Sequence, residues 1–295
     1  MFVYDPRYHV DIGAHVFPVD KYPQLYKRLT EDESVSLTLF IEPRPLTRQD
    51  TLSVHNYSYI EELVSCTWSD RTRSSELPIN RDIVQAAFLA AGGTLRACEI
   101  ALDTGWGMNL CGGFHHAFPD HAEGFCFLND VAIAVSLLRE QNRIQRALIC
   151  DLDLHQGNGT AFIFQDTPDV FTFSMHQEDL YPVKQNSDLD IPLDTGVDDE
   201  AYLDLLQEHL PELLVKHRPQ ILVYVAGADP WQGDAIGSLK LSMEGLRNRD
   251  RFVIQHARKH HIPLAVILGG GYDPDVEKVV QIHLNTCLEL LERPT

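Results

Sequence analysis

The sequence predicts an α/β protein, a three-layer αβα domain whose mainly parallel central sheet is flanked by helices. Three observations lead there. Short apolar runs with the length and β-branched or aromatic content of buried strands fall at 2–4, 147–152, 170–175, 221–226 and 264–268. Longer helical stretches separate most of them, and strands alternating with helices of this size build parallel crossovers with helices on both faces. No linker-like, low-complexity or repeated segment divides the chain, so residues 1–295 are expected to form one domain.

In chain order, the strand at 2–4 comes first. Residues 31–81, rich in Ser, Thr, Pro and charge, read as an irregular or helical excursion at the sheet edge. A helix is expected over 81–102. A second runs over 129–141, with Asn129 placed to cap the run Val131-Ala132-Ile133-Ala134. Strands at 147–152 and 170–175 follow. The helix over 198–216 opens on Asp198, Asp199 and Glu200, a charge favourable at a helix N-terminus. The strand at 221–226, a helix over 242–260, the strand at 264–268 and a helix over 274–291 complete the order.

The composition, 44% hydrophobic and 23% charged, is that of an ordinary globular protein. Forty-three acidic residues against 24 Lys and Arg give a formal net charge of −19. That argues against nucleic-acid binding and favours cationic small molecules, basic peptides, or plain solubility. The excess is uneven, since residues 166–212 hold thirteen acidic residues and one basic residue, Lys184. The longest uncharged hydrophobic stretch, 83–95, is shorter than a membrane span. Asp5, Arg7, His9 and Asp11 stand where a signal peptide needs an apolar core. A cytoplasmic protein with no membrane contact is therefore expected. Six scattered cysteines (Cys66, Cys98, Cys111, Cys126, Cys150 and Cys287) contain no C-x-x-C pair and are expected to be reduced and buried.

Ligands of open parallel sheets bind beyond the carboxyl ends of the strands. The chemically loaded residues fall there. The strand at 147 runs into Asp151-Leu152-Asp153-Leu154-His155, and alternation puts the two carboxylates and the imidazole on one side, half of a metal site. The strand at 221 runs into Gly227-Ala228-Asp229-Pro230. Asp153, His155 and Asp229 together would supply three mixed N and O ligands and leave a position open, as a catalytic zinc requires. Any one of these aspartates taken alone reads more readily as a helix cap. In Gly112-Gly113-Phe114-His115-His116 the adjacent histidines are ligands, a proton-transfer pair or surface residues. Leu268-Gly269-Gly270-Gly271-Tyr272 presents a tyrosine on a glycine turn, without the spacings of a nucleotide-binding loop.

The blocks GGFHHA, GFCFLND, DLDLHQGNG, AGAD and LGGGY, in this order, resemble the zinc-dependent histone deacetylases and their bacterial relatives, including the acetylpolyamine amidohydrolases, of the arginase/deacetylase fold. The similarity runs from about residue 81 to Tyr272, with weaker echoes at His15-Val16-Phe17-Pro18 and residues 54–59. The HQGN variant is similar to the class IV branch. This resemblance implies one Zn2+ on Asp153, His155 and Asp229, with His115 and His116 handling protons and Tyr272 stabilising an oxyanion. It also implies that Asp151 orients His115. Behind the second histidine the relatives usually carry an aspartate, whereas here Asn158 accepts the ring N–H without bringing charge. His116 is accordingly expected to stay neutral over more of the working pH range. Gly124, Phe125 and Tyr181 match the walls of a tunnel for an acylated lysine. A structural K+ or Na+ is implied at Asp151, Asp153, His155, Ser174 and Met175, and a second at Phe164, Thr167 and Val170.

The implied reaction is hydrolysis of the N-acyl-lysine amide in proteins or peptides, with acetylated polyamines as the alternative substrate. Glu178, Asp179, Asp188, Asp190 and Asp194, around Tyr181, then read as an attractor for a cationic substrate at the tunnel rim. A dimanganese ureohydrolase is disfavoured because the S-x-D-x-D-x-x-D-P pattern is missing. A silent acyl-lysine-binding protein is disfavoured because every catalytic role is filled. The chain length leaves little room for dimer-building insertions, so a compact monomer is expected.

Overall fold

Eight strands make one sheet in the computed structural model, which describes residues 1–292. They are β1 (Phe2–Val3), β2 (Phe40–Ile41), β3 (Trp106–Asn109), β4 (Ala147–Asp151), β5 (Val170–Gln177), β6 (Leu189–Leu193), β7 (Ile221–Val225) and β8 (Leu264–Ile267). All neighbours pair in parallel, in the order β2-β1-β3-β8-β7-β4-β5-β6. The last strand is thus inserted between β3 and β7. The helices are α1 (Lys21–Glu31), α2 (Arg48–Thr51), α3 (Tyr57–Val64), α4 (Asp70–Arg73), α5 (Arg81–Thr104), α6 (Asp130–Glu140), α7 (Asn158–Phe164), α8 (Asp199–His217), α9 (Met243–Lys259) and α10 (Val276–Leu291).

Alternation along the strands divides the core into two layers. Leu148, Cys150, Leu222, Tyr224 and Val266 point to one face, where they meet residues of α8, α9 and α10 such as Leu206, Val253 and Val280. Ile149, Val223, Val225 and Ile267 point to the other, against Ala134, Val135 and Leu138 of α6 and Cys98 and Ala101 of α5. Strands buried on both faces read as continuous apolar runs, which is why β4, β5, β7 and β8 are legible in the sequence. Helix α5 is long and apolar enough to cross a bilayer by composition, but its apolar residues pack against β3 and α6.

Three strands escape the sequence reading. Two-residue β2 is the outer edge within the 31–81 excursion, which otherwise folds into the short helices α2, α3 and α4. β6 carries Pro192, tolerated because this is the other edge of the sheet. β3, Trp106-Gly107-Met108-Asn109, contains no β-branched residue and carries a glycine and a polar end, so it lacks the composition of a strand. Five cysteines are buried as expected, while Cys66 is only partly so.

Candidate active site

Loops from the carboxyl ends of the four adjacent strands β3, β8, β7 and β4 converge on one cleft. After β4 the side-chain alternation continues: Leu152 and Leu154 enter the core, while Asp151, Asp153 and His155 turn to the cleft. Tight local bonds hold this turn, with Asp153 N–H donating to Asp151 Oδ1 (3.2 Å) and His155 N–H to Asp153 Oδ1 (3.0 Å). From β7, Asp229 accepts the Leu154 N–H through Oδ1 (3.1 Å). From β8, the Gly270 N–H donates to Asp153 Oδ2 (2.7 Å). A β-carbon at Gly270 would lie 2.2 Å from Asp229 Oδ2, so only glycine lets the turn approach this closely.

Donor atoms of Asp153, His155 and Asp229 lie within 4.8 Å of one another, all buried. His155 Nδ1 stands 3.3 Å from both Asp153 Oδ1 and Asp229 Oδ2. Burial and the neighbouring Asp153 push the Asp229 carboxyl up to about 7. Burial lowers His155, but the two carboxylates outweigh it and push the imidazole up to about 10. Asp229 Oδ2 is buried and, among the described residues, has no hydrogen-bond donor. Two carboxylates demanding positive charge, an orphaned acceptor and an imidazole fit a divalent cation of the zinc type.

The histidine loop after β3 is pinned from the start of α6. Asn129 Nδ2 donates to the His115 and Ala117 carbonyls (3.1 and 3.2 Å), and Asp130 accepts the N–H groups of Gly113 and Phe114 (3.0 and 2.7 Å). His115 Nδ1 lies 2.7 Å from Asp151 Oδ2, and its Nε2 is 3.2 Å from Nε2 of His116. His116 Nδ1 is 2.7 Å from Asn158 Oδ1. Burial lowers His115, yet Asp151 and Asp153 overcome it and raise the ring to about 9. Burial, reinforced by His115 and His155, keeps His116 well below the ordinary value. The two neighbouring rings are thus shifted in opposite directions, His115 up and His116 down.

Tyr272 is buried with its ring 6.3 Å from that of His155. Its backbone N–H donates to Asp234 Oδ2 (2.7 Å), and the next residue, Asp273, accepts the Trp231 indole N–H (2.8 Å). The Phe125 ring lies 5.9 Å from Tyr272 on a left-handed backbone (φ +66°). Tyr181, 43% exposed, stands at the mouth with its ring 5.3 Å from His116 and 6.2 Å from His155. Gly124 (φ +47°) lies between these walls, where a β-carbon would come within 2.7 Å of both the His116 ring and the Tyr181 hydroxyl. Phe17 completes the wall at 6.1 Å from Phe125 and 6.3 Å from Tyr272.

Ser174 pairs with Asp151 across β4 and β5, which puts Ser174 and Met175 beside the turn that bears Asp153 and His155. Phe164, Thr167 and Val170 lie at the opposite, amino-terminal end of β5, away from the cleft. Of the acidic rim, Asp188 and Asp190 depart from the attractor reading. Asp188 accepts the Thr172 N–H and hydroxyl, and Asp190 accepts from Gln156 Nε2 and the Ser187 N–H, so both hold the β5–β6 connection together. Glu178, Asp179 and Asp194 remain exposed.

Two buried cations escape the sequence reading. Arg249 of α9, fully buried, donates through Nη1 to the carbonyls of Leu152 (3.1 Å) and Gly227 (2.8 Å) and through Nε to Asp250 (2.9 Å). It ties together from behind the two loops that carry Asp153 and Asp229. Lys21 donates to the Gly269 carbonyl (2.8 Å), beneath the turn of Tyr272, and lies over the rings of Phe17 and Tyr22. Burial lowers its pKa to about 8.

A doubly covered parallel sheet with this cluster at its strand ends has its chemistry where open α/β folds bind their ligands. Residues 15–287 match the histone deacetylase domain, and the chain belongs to the histone deacetylase family. It is 40% identical over 284 residues to an uncharacterized protein of Picosynechococcus sp., covering 95% of each chain. It is 29% identical to histone deacetylase 2 of Arabidopsis thaliana, over 90% of this chain and 72% of that one. Histone deacetylase 8 of Xenopus tropicalis is also 29% identical, over 79% and 68% of the two chains. The crystal structure of the HDA15 HD domain matches with a TM-score of 0.83 at 24% identity, over 99% of this chain and 91% of that one, and so has the same fold.

Proposed function

We propose that the protein is a zinc-dependent deacylase acting on the linear amide of N-acyl-lysine in proteins or peptides. The observation that carries this reading is the meeting of the Asp153, His155 and Asp229 donors with a charged and a neutral histidine in one aromatic-walled cleft. Zn2+ on those three residues would supply a Lewis acid for the acyl carbonyl and acidify water near neutral pH.

The chain's own residues do the rest. His116 takes a proton from the attacking water through Nε2, and the charged His115 returns one through its own Nε2 to the departing lysine amine. Asp151 keeps His115 oriented and charged, and Asn158 keeps His116 with its proton on Nδ1. The Tyr272 hydroxyl donates to the oxygen on which charge develops. Phe125 and Tyr181 sheath the alkyl stem and exclude water, while Glu178 and Asp179 favour a cationic substrate. A K+ or Na+ beside Asp151, Ser174 and Met175 would steady the β4 turn. We further propose that the protein works as a monomer in the cytoplasm.

The test is a panel of acetyl-lysine peptides, long-chain acyl-lysine peptides, and acetylated spermidine and putrescine, each with and without chelator. Chelator-sensitive turnover of the lysine peptides is expected. Turnover confined to the polyamines would move the substrate to the alternative class, and turnover unaffected by chelator would remove the metal.

A further inference from the structure

We infer that Glu123 is a positioning residue, which sets the tautomer of His116 through Asn158 and fastens the tunnel wall to the same point. The inference rests on the deacylase reading of the site. Glu123 Oε1 accepts two hydrogen bonds, from Asn158 Nδ2 at 2.8 Å and from the Tyr181 hydroxyl at 3.0 Å. Its other oxygen lies 3.4 Å from His121 Nε2, and His121 is in turn paired with Asp120 (2.7 Å). The backbone that aims this carboxylate is stiff. Glu123 and Cys126 bridge each other through two main-chain hydrogen bonds (3.1 and 2.8 Å) around the left-handed Gly124 and Phe125.

A carboxamide has a donor end and an acceptor end of nearly equal shape, so its own preference does not decide which end faces a neighbour. Here the Glu123 carboxylate claims the NH2 end of Asn158. The oxygen end must then face His116, where it accepts from Nδ1–H and leaves Nε2 as the acceptor. With Glu123 removed, the amide is free to turn over and offer NH2 to Nδ1. The proton then moves to Nε2, and the ring no longer presents a lone pair at that nitrogen. Burial raises the Glu123 carboxyl, but hydrogen bonds from His121, Asn158 and Tyr181 more than offset this, so it stays charged. Glu123 thus supplies, one residue further back, the negative charge that Asn158 lacks, and bonds to a charged acceptor are the stronger kind.

A reciprocal consequence follows. Asn158→Asp, the side chain relatives usually carry, places a second carboxylate where Asn158 Nδ2 now donates to Glu123 at 2.8 Å. Two carboxylates so close do not both ionise freely. Asn158→Asp is therefore expected to impair this chain, and Glu123→Gln to rescue it.

The experiment compares the zinc-loaded native protein with Glu123→Ala, Asn158→Asp, the Asn158→Asp/Glu123→Gln double variant and Tyr181→Phe. Each is read by steady-state kinetics on an acetyl-lysine peptide and by ring-nitrogen NMR of His116. We expect kcat to fall about tenfold in Glu123→Ala and in Asn158→Asp, a modest part of what a general base contributes. The double variant should return to within about threefold of native, and Tyr181→Phe should raise KM with little change in kcat. The NMR should report Nδ1-protonated His116 in the native protein and a mixture of tautomers in Glu123→Ala. A double variant as slow as Asn158→Asp alone, or an unchanged His116 tautomer in Glu123→Ala, overturns the inference. If the native protein hydrolyses none of the acyl amides, the proposed function fails, and the tautomer measurement still decides the role of Glu123.

Discussion

The two halves of the histidine pair are built from the same residue, yet their pKa values are shifted in opposite directions. His115 and His116 are 3% and 5% exposed, so burial disfavours the imidazolium of both. What differs is what stands behind each ring: the Asp151 carboxylate behind His115, and the Asn158 carboxamide backed by Glu123 behind His116. A scaffold that buries two histidines alike can still shift one up and the other down through the charges it sets around them. Separation of pKa values between neighbours is what acid–base catalysis needs.

In the proposed reaction both halves serve the metal triad of Asp153, His155 and Asp229. The largest effect is therefore expected from Asp229→Ala, with loss of bound zinc by mass spectrometry and a fall in kcat of at least about a thousandfold. Retained zinc and activity would detach the histidines from any metal role.

Next comes Asp151→Asn, which makes the charged half resemble the neutral one and should lower kcat by about a hundredfold. A loss no larger than that of Glu123→Ala would mean that the halves do not differ as described. The same pair predicts a pH signature in chelator-treated protein. The His115 value is raised in the fold, so its contribution is complete below the unfolded value near 6.5 and is lost as pH rises through about 9. His116 is lowered, so its contribution is present above about 6.5 and is lost as pH falls below it. Thermal melts should fall on both sides, and Asp151→Asn should flatten the alkaline limb.

Arg249→Met leaves both halves untouched and loosens only the loops beneath them. Zinc affinity should drop about tenfold, as for other supporting residues of metal sites, with Arg249→Lys intermediate. Equal affinity in a folded Arg249→Met protein would show that the carbonyl ties are dispensable. The smallest effect belongs to the rim. Glu178→Gln with Asp179→Asn should reduce kcat/KM for cationic peptides by about twofold to threefold at low salt and flatten its salt dependence. No change in either would leave solubility as the account of those charges.

How much of this was legible in the sequence follows the same division. Asp153, His155, Asp229 and Tyr272 are legible because each directly follows an apolar strand whose direction fixes where it points. Their supports are not. Lys21 and its acceptor Gly269 are 248 residues apart, and Arg249 and Leu152 are 97 apart. In the sequence Lys21 opens a mixed helix and Arg249 sits in Arg247-Asn248-Arg249-Asp250, a run that reads as a solvated face. Glu123 looks like one more charge in an acidic chain. Only the fold shows that it stands between Asn158 and Tyr181. Asn129 was half visible, as a helix cap but not, with its neighbour Asp130, as the clamp on the histidine loop.

The place of β8 in the sheet has a consequence for how the molecule is made. Synthesis proceeds from the N-terminus, and β1, β2 and β3 emerge early, followed by β4 to β7. In the finished sheet only β8 joins the ribbon β2-β1-β3 to the ribbon β7-β4-β5-β6, so without it each would have a raw edge where β8 lies. Residues 264–267 close both edges at once and carry the Gly269–Tyr272 turn behind them. A nascent chain paused before this point would hold the histidines and carboxylates of the site without the tyrosine or a closed sheet, and unpaired strand edges of this kind are what associate with another unfinished copy.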